Sequence, residues 1–224
     1  MKFTDVLQEQ VEKIWNMEVE HPFVKEMGEG SLDLEKFKYY SKQNYHYLKV
    51  YDKIWALALA KCDDPEISAK LFELLKFTLT VEIELMKFYA KELGVTPEEL
   101  EREEISPVTR GYIDFLFSTA LSGDLSQIMA AVTPCLWGYM YVFTKLKAKG
   151  TPKGNPLYAK SIELYTSDEG KWQVDMVKGI LDKLAERKSE HDKEKLKQIF
   201  LTASRYEYLF WEQAYRKEVW PDKK

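Results

Sequence analysis

Along almost the whole chain, apolar residues recur every three or four positions, and nowhere do apolar and polar residues alternate over the length of a strand. Only 10 Gly and 8 Pro interrupt 224 residues. A helix buries its apolar stripe most simply against another helix, so this pattern restricts the chain to helix-on-helix packing. Thr4 to Glu20 reads as the first helix, with Val6, Leu7, Val11, Ile14 and Trp15 on one face. His21-Pro22 stops it, because a residue before proline avoids the helical region. Asp33 to Lys61 is the second, turning Leu34, Phe37, Tyr40 and Tyr47 toward a core. Pro65 to Leu93 is the third, ended by Gly94 at the C′ position.

Beyond it, Thr96 caps a segment whose first helical position is Pro97. Ser106-Pro107 opens a helix to Ser122, and Asp124 to Lys149 follows. After a loop at Gly150 to Gly154, Asn155-Pro156 begins a helix to Tyr165. Ser167 or Asp168 caps one to Lys188, and Asp192 to Lys217 is the last. The connections are short, so successive helices should be antiparallel neighbours in one all-α domain.

Charge and composition exclude several roles. Lys and Arg number 33 against 37 Asp and Glu, a net charge of −4. That argues against a nucleic-acid partner, whose affinity rests on cations meeting phosphates. No apolar run approaches the ~20 residues of a membrane helix. The first residues are polar and amphipathic and do not resemble a signal peptide. Cys62 and Cys135 form no disulfide framework, so a cytoplasmic protein with reduced thiols is expected. Dinucleotide, P-loop, nucleophile-elbow, HExxH and CxxC motifs are missing. One Glu-x-x-His pair occurs, Glu18 and His21, but a di-iron bundle needs two; His21 reads as a helix-end cation beside the C-terminal dipole.

Three features remain as candidate chemistry. Aromatic residues make up 14% of the chain, with 14 Tyr. Tyr occupies many positions that a plain core would fill with Leu, either as ordinary core or as the wall of a pocket for a flat heteroaromatic ligand. Cys135 follows Pro134 inside a helical run, where proline removes a hydrogen bond and frees the Ala130 carbonyl; the thiol is either a small buried apolar group or a nucleophile. Glu207 lies in Tyr206-Glu-Tyr-Leu-Phe-Trp211. Low dielectric there would raise its pKa toward that of an acid/base group, unless Arg205, Arg216 or a lysine pairs with it.

Taken in order, His21-Pro-Phe-Val24, Gly30-Ser-Leu32, Phe37, Gln43-Asn-Tyr-His-Tyr-Leu48, Pro134-Cys-Leu-Trp-Gly-Tyr139, Asn155-Pro156 with Tyr165, and Tyr206 to Trp211 resemble the TenA family, thiaminase II. The resemblance runs from the first helix to Tyr215. It implies a haem-oxygenase-like helical bundle, assembled as a homotetramer, without haem, metal or other cofactor. The implied partners are small molecules: aminomethylpyrimidine, or thiamin itself, hydrolysed at the exocyclic methylene of a 4-amino-2-methylpyrimidine. The product would be hydroxymethylpyrimidine, salvaged for thiamin synthesis. Cys135 falls on the nucleophile position and Glu207 on the acid/base position. Asn44, Tyr47, Tyr112, Tyr139, Tyr165 and Phe210 fall on positions that bind and orient the ring.

The chain departs from the resemblance at Asn44, where Asp is usual, at Met86, where His is common, and at Ser161, where Trp is common. Asparagine cannot carry the charge that would hold a proton on the ring. This leaves an alternative: a protein that binds a pyrimidine, free or phosphorylated, with little turnover.

Overall fold

The structure is a computed structural model that describes residues 1–150, 152 and 155–223. The described residues form helices α1 (Phe3–Val19), α2 (Pro22–Glu29), α3 (Leu34–Ala60), α4 (Pro65–Phe77), α5 (Ile83–Glu92), α6 (Pro97–Arg102), α7 (Pro107–Ser122), α8 (Leu125–Lys149), α9 (Pro156–Tyr165), α10 (Asp168–Ala185) and α11 (Glu190–Arg216), and no strand. A π-helical turn, Thr78–Glu82, joins α4 to α5. Most of the loop expected at Gly150 to Gly154 lies outside the described residues. No described helix is long and apolar enough to cross a membrane.

Local chemistry starts most of these helices where expected. Asp64, Thr96, Ser106 and Asn155 each accept a backbone N–H from the first turn, and a proline follows each of them. An N-terminal N–H has no partner within the helix, so proline costs nothing there. His21-Pro22 does more than stop α1. The same dipeptide starts α2, with Pro22 in the first turn and His21 as cap; its Nδ1 accepts the Phe23 N–H at 3.2 Å. Gly30, at φ 79°, then ends α2 in the left-handed region, as C-terminal glycines do.

The expected helix from Pro65 to Leu93 is interrupted by the π turn. A wider turn inserts a residue into the helical register and re-aims the side chains that follow. At the other end of the chain, α10 stops at Ala185, and Ser189 caps α11 two residues earlier than the Asp192 start expected.

Helix α8 is the centre of the bundle, packing on α11, α10, α9, α7 and α1. Its middle, from Ile128 to Tyr139, is buried on all sides. Gly138 allows α1 to come close: a Cβ there would lie 3.2 Å from Trp15 Nε1. The helix continues through Pro134. Near the break, the Tyr51 hydroxyl donates to the Val132 carbonyl at 3.1 Å and the Thr133 hydroxyl donates to the Met129 carbonyl at 2.6 Å. Neither bond reaches the Ala130 carbonyl, the acceptor that Pro134 frees. One continuous apolar cluster runs through the described helices, as a single folding unit requires.

Candidate active site

Six elements converge on one narrow, tightly closed cavity. Helix α3 contributes Asn44, Tyr47 and Leu48, which share a face by their helical spacing. The π turn contributes Glu82 and α7 contributes Tyr112. Helix α8 supplies Cys135 and Tyr139, one turn apart; α9 supplies Tyr165, and α11 supplies Glu207 and Phe210. All eight residues expected at a site therefore line the same space, together with Leu48 and Glu82.

Aromatic rings make the walls. Tyr47 and Tyr112 lie 5.1 Å apart between centroids, and Phe210 stands nearly edge-on to Tyr47 at 6.0 Å. Tyr139 and Tyr165 form a second pair at 5.0 Å. Behind the first wall, Tyr206 stacks on Tyr112 with rings 5° from parallel. The tyrosine surplus thus divides. Tyr47, Tyr112, Tyr139 and Tyr165 face the cavity, whereas others are tied into the fold by their hydroxyls, such as Tyr39 to the Glu218 carbonyl and Tyr158 to the Leu32 carbonyl.

Glu207 is buried, and the Tyr112 hydroxyl donates to its Oε1 at 2.5 Å. No arginine or lysine pairs with it among the described residues. Burial drives its pKa from 4.5 to about 8, while the Tyr112 hydroxyl and the Cys135 thiol pull it back. Burial also pushes the Cys135 thiol well up, and the neighbouring Glu207 charge adds to that; the Tyr47 and Tyr51 hydroxyls oppose both. The resting thiol is therefore protonated, and beside it stands a carboxyl poised near neutrality. The Tyr47 hydroxyl has no hydrogen-bond partner among the described residues. It is available to a thiolate or to a ligand.

Asn44 donates its amide N–H to the Met86 sulfur at 3.2 Å. Two of the departures noted in the sequence are thus in contact. The third, Ser161, hydrogen-bonds to the Tyr89 hydroxyl at 2.8 Å and lies outside the cavity.

Glu82 was not singled out from the sequence. It is buried, and the Thr78 hydroxyl donates to its Oε2 at 2.9 Å. Burial raises its pKa from 4.5 to about 7. The available signal was a carboxylate between Val81 and Ile83, one helical turn from Thr78 and one from Met86.

No Lys, Arg or His is among the lining residues. Nor do three His, Cys, Asp or Glu side chains gather as a metal site would need, among the described residues. His21 is not the helix-end cation expected. Its Nδ1 caps α2, its Nε2 faces Glu212 at 2.9 Å, and burial lowers its pKa. Glu18 is also buried, outside the cavity, and burial together with the Glu207 charge raises its pKa.

A sequence profile of the TENA/THI-4/PQQC family matches residues 8–217. The chain belongs to that family. Among characterised family members, an aminopyrimidine aminohydrolase of Halalkalibacterium halodurans is 40% identical over 98% of this chain and 98% of its own length. An enzyme of the same name from Bacillus subtilis is 33% identical over 99% of this chain and 93% of its own. A solved TenA homologue from P. horikoshii superposes with a TM-score of 0.88, at 32% identity, covering 96% of this chain and 99% of that one. A protein described as having a haem-oxygenase-like fold superposes at 0.78 and 18% identity, so the TENA/THI-4/PQQC chain shares that fold.

Proposed function

We propose that this chain is an aminopyrimidine aminohydrolase of thiamin salvage, with Cys135 as nucleophile and Glu207 as acid/base. One observation carries the reading: a buried thiol and a carboxyl poised near neutrality line the same aromatic-walled cavity. The names of the relatives agree with it.

The reaction follows from the two groups. Ionised Glu207 takes the Cys135 proton as the sulfur bonds to the ring carbon next to the one bearing the methylene, and the ring electron pair moves onto nitrogen. That pair then returns to expel the nitrogen, an ammonium in the substrate, from the methylene as ammonia, and Glu207 keeps the proton it took from the thiol. Water adds to the methylene carbon and loses a proton. The C–S bond breaks, the ring regains aromaticity, and Glu207 returns its proton to the sulfur, which restores the thiol and the carboxylate. The product is hydroxymethylpyrimidine and the nitrogen leaves as ammonia. Tyr47, Tyr112, Tyr139, Tyr165, Phe210 and Asn44 hold the ring against the thiol, which supplies the proximity such an addition needs.

A phosphorylated pyrimidine is a poor match for this cavity. It would bring negative charge to a space lined by two carboxyls and no cation, at a cost in repulsion and desolvation. The hydrolase reading is tested by ammonia release from aminomethylpyrimidine. Stoichiometric ammonia and hydroxymethylpyrimidine are expected, and wild-type protein that binds neither pyrimidine would overturn it.

The same reading extends to location and assembly. Both cysteines are free thiols, as suits a cytoplasmic enzyme. A homotetramer is proposed as well. Its support is the apolar side chains left in solvent, Phe72, Leu79 and Phe88 along α4, the π turn and α5, with Trp172 and Leu209 elsewhere. Light scattering should give four times the 26.4 kDa chain mass.

A further inference from the structure

The cavity contains one ionisable group that the mechanism above does not use. Glu82 is only 4% exposed and lines the cavity. Thr78 holds its Oε2, and no described residue donates to Oε1. That oxygen keeps some accessibility, so a ligand donor in the cavity that Glu82 lines can reach it. The π turn is what aims this side chain inward, since it resets the helical register between α4 and α5.

The charge of the ligand follows from the lining. The cavity holds carboxyls and no cation, so it favours a neutral or positively charged molecule. Both substrates of the proposed reaction carry their positive charge on the methylene: a primary amine is an ammonium at neutral pH, and thiamin bears a thiazolium. The hydroxymethyl product is neutral there. Glu207 already has one oxygen engaged by Tyr112 and serves to move protons. We propose that Glu82 recognises the cationic substituent on the substrate methylene, the ammonium of an aminomethyl group, and so sets the preference among pyrimidines by charge. The inference rests on the hydrolase reading and adds a specificity residue to it. It also gives product release a direction, because the charge that Glu82 attracts departs with the leaving group.

The surroundings of Glu82 leave it free to titrate. Tyr51 of α3, Cys135 of α8 and Tyr165 of α9 face it electrostatically, and burial holds all three protonated. Lys76, Glu84 and Lys87 on the adjoining turns are exposed. Across the cavity stands Glu207. A cationic ligand stabilises the ionised form of Glu82, so binding should weaken as pH falls through about 7.

The test compares two pyrimidines on wild-type protein, Glu82→Gln and Glu82→Asp. Glutamine keeps an acceptor for Thr78 and the shape of the side chain, and removes only the charge. Expected for Glu82→Gln is a rise of ~10-fold or more in KM for aminomethylpyrimidine. Its Kd for hydroxymethylpyrimidine should stay within ~3-fold of wild type, as loss of one charge predicts for a neutral ligand. Glu82→Asp should recover part of the loss. In wild-type protein the KM for the amine should climb between pH 8 and pH 6, and Glu82→Gln should lack that limb. Equal losses on both ligands, or unchanged KM with the pH limb retained, would overturn the assignment of Glu82 alone. Wild-type protein that binds neither pyrimidine would overturn the hydrolase reading and this inference with it. If Glu82→Gln fails to fold, the aspartate variant and the wild-type pH limb decide the matter.

Discussion

The Asn44 side-chain amide donates to the Met86 sulfur across 3.2 Å, so positions 44 and 86 behave as a pair. Sulfur is a weak acceptor, and it matches a neutral donor. A carboxylate at position 44 would meet that sulfur with no proton to share and would be buried without a partner, which is costly. What looked in the sequence like two separate departures is therefore one coupled change, and any account of turnover has to treat both residues together.

Cys135→Ala should keep the fold and the ligand and lose the reaction. The substitution removes one sulfur atom from a site that already borders a cavity, so the packing loss is small. Ammonia release should fall by ~1,000-fold or more, while calorimetry should give a Kd for hydroxymethylpyrimidine within ~3-fold of wild type. Turnover near the wild-type rate would remove Cys135 from the mechanism. Cys62→Ala should leave the rate unchanged, since that thiol bonds to the Asp64 carbonyl at 3.4 Å and is not among the cavity residues.

Tyr112→Phe should move the pH–rate profile. The Tyr112 hydroxyl donates to Glu207 and holds its pKa down against burial. Without that donor the Glu207 pKa rises. The proposed first step needs ionised Glu207, so kcat/KM should increase with pH and level off above about 8 in wild-type protein. In Tyr112→Phe the upper midpoint should shift upward by ~1 pH unit. A shift to lower pH would mean that Glu207 acts first as an acid.

Glu207→Gln should trade activity for stability, and the trade should depend on pH. The folded-state pKa, about 8, lies above a carboxyl's ordinary 4.5. The folded protein therefore binds a proton that the unfolded chain releases between those values. Its stability from this group is complete below pH 4.5 and declines as pH rises to about 8, at about 1.4 kcal/mol per pH unit. Glutamine has no proton to lose. Apparent Tm by circular dichroism should exceed wild type by ~5 °C or more at pH 8.5 and by less than ~2 °C at pH 5. A gain that is the same at both values would contradict the buried-acid account.

Residues with local chemistry were the ones legible in advance. Asp64-Pro65, Thr96-Pro97, Ser106-Pro107 and Asn155-Pro156 announce helix starts because cap and proline both act within one turn. Cys135, Glu207 and the cavity aromatics stood out through residue type and through resemblance, and they do share one cavity. The misses are tertiary. His21-Pro22 ends one helix and begins another, a choice that depends on what α2 packs against. Glu82 was hidden because regular periodicity carries a helix straight through Thr78–Glu82, whereas the π turn shifts the register.

The coupling of positions 44 and 86 yields the most discriminating prediction. If charge at the ring nitrogens speeds the reaction, a free-standing carboxylate from Asn44→Asp would help on its own. The Met86 contact argues otherwise: the aspartate would face a sulfur acceptor, and burial would raise its pKa until it sat protonated and uncharged. Met86→His supplies the missing donor, because an imidazole N–H can hold the carboxylate ionised. The rate on aminomethylpyrimidine should change by less than ~2-fold in Asn44→Asp and in Met86→His, and rise by ~10-fold or more in the double variant. Such a rise equals about 1.4 kcal/mol of barrier, and all of it would appear as interaction energy in the double-mutant cycle. Single-turnover assays on the four proteins measure it. Additive effects would show that position 44 acts alone, and a large gain from Asn44→Asp by itself would show that the carboxylate finds a different partner in the cavity.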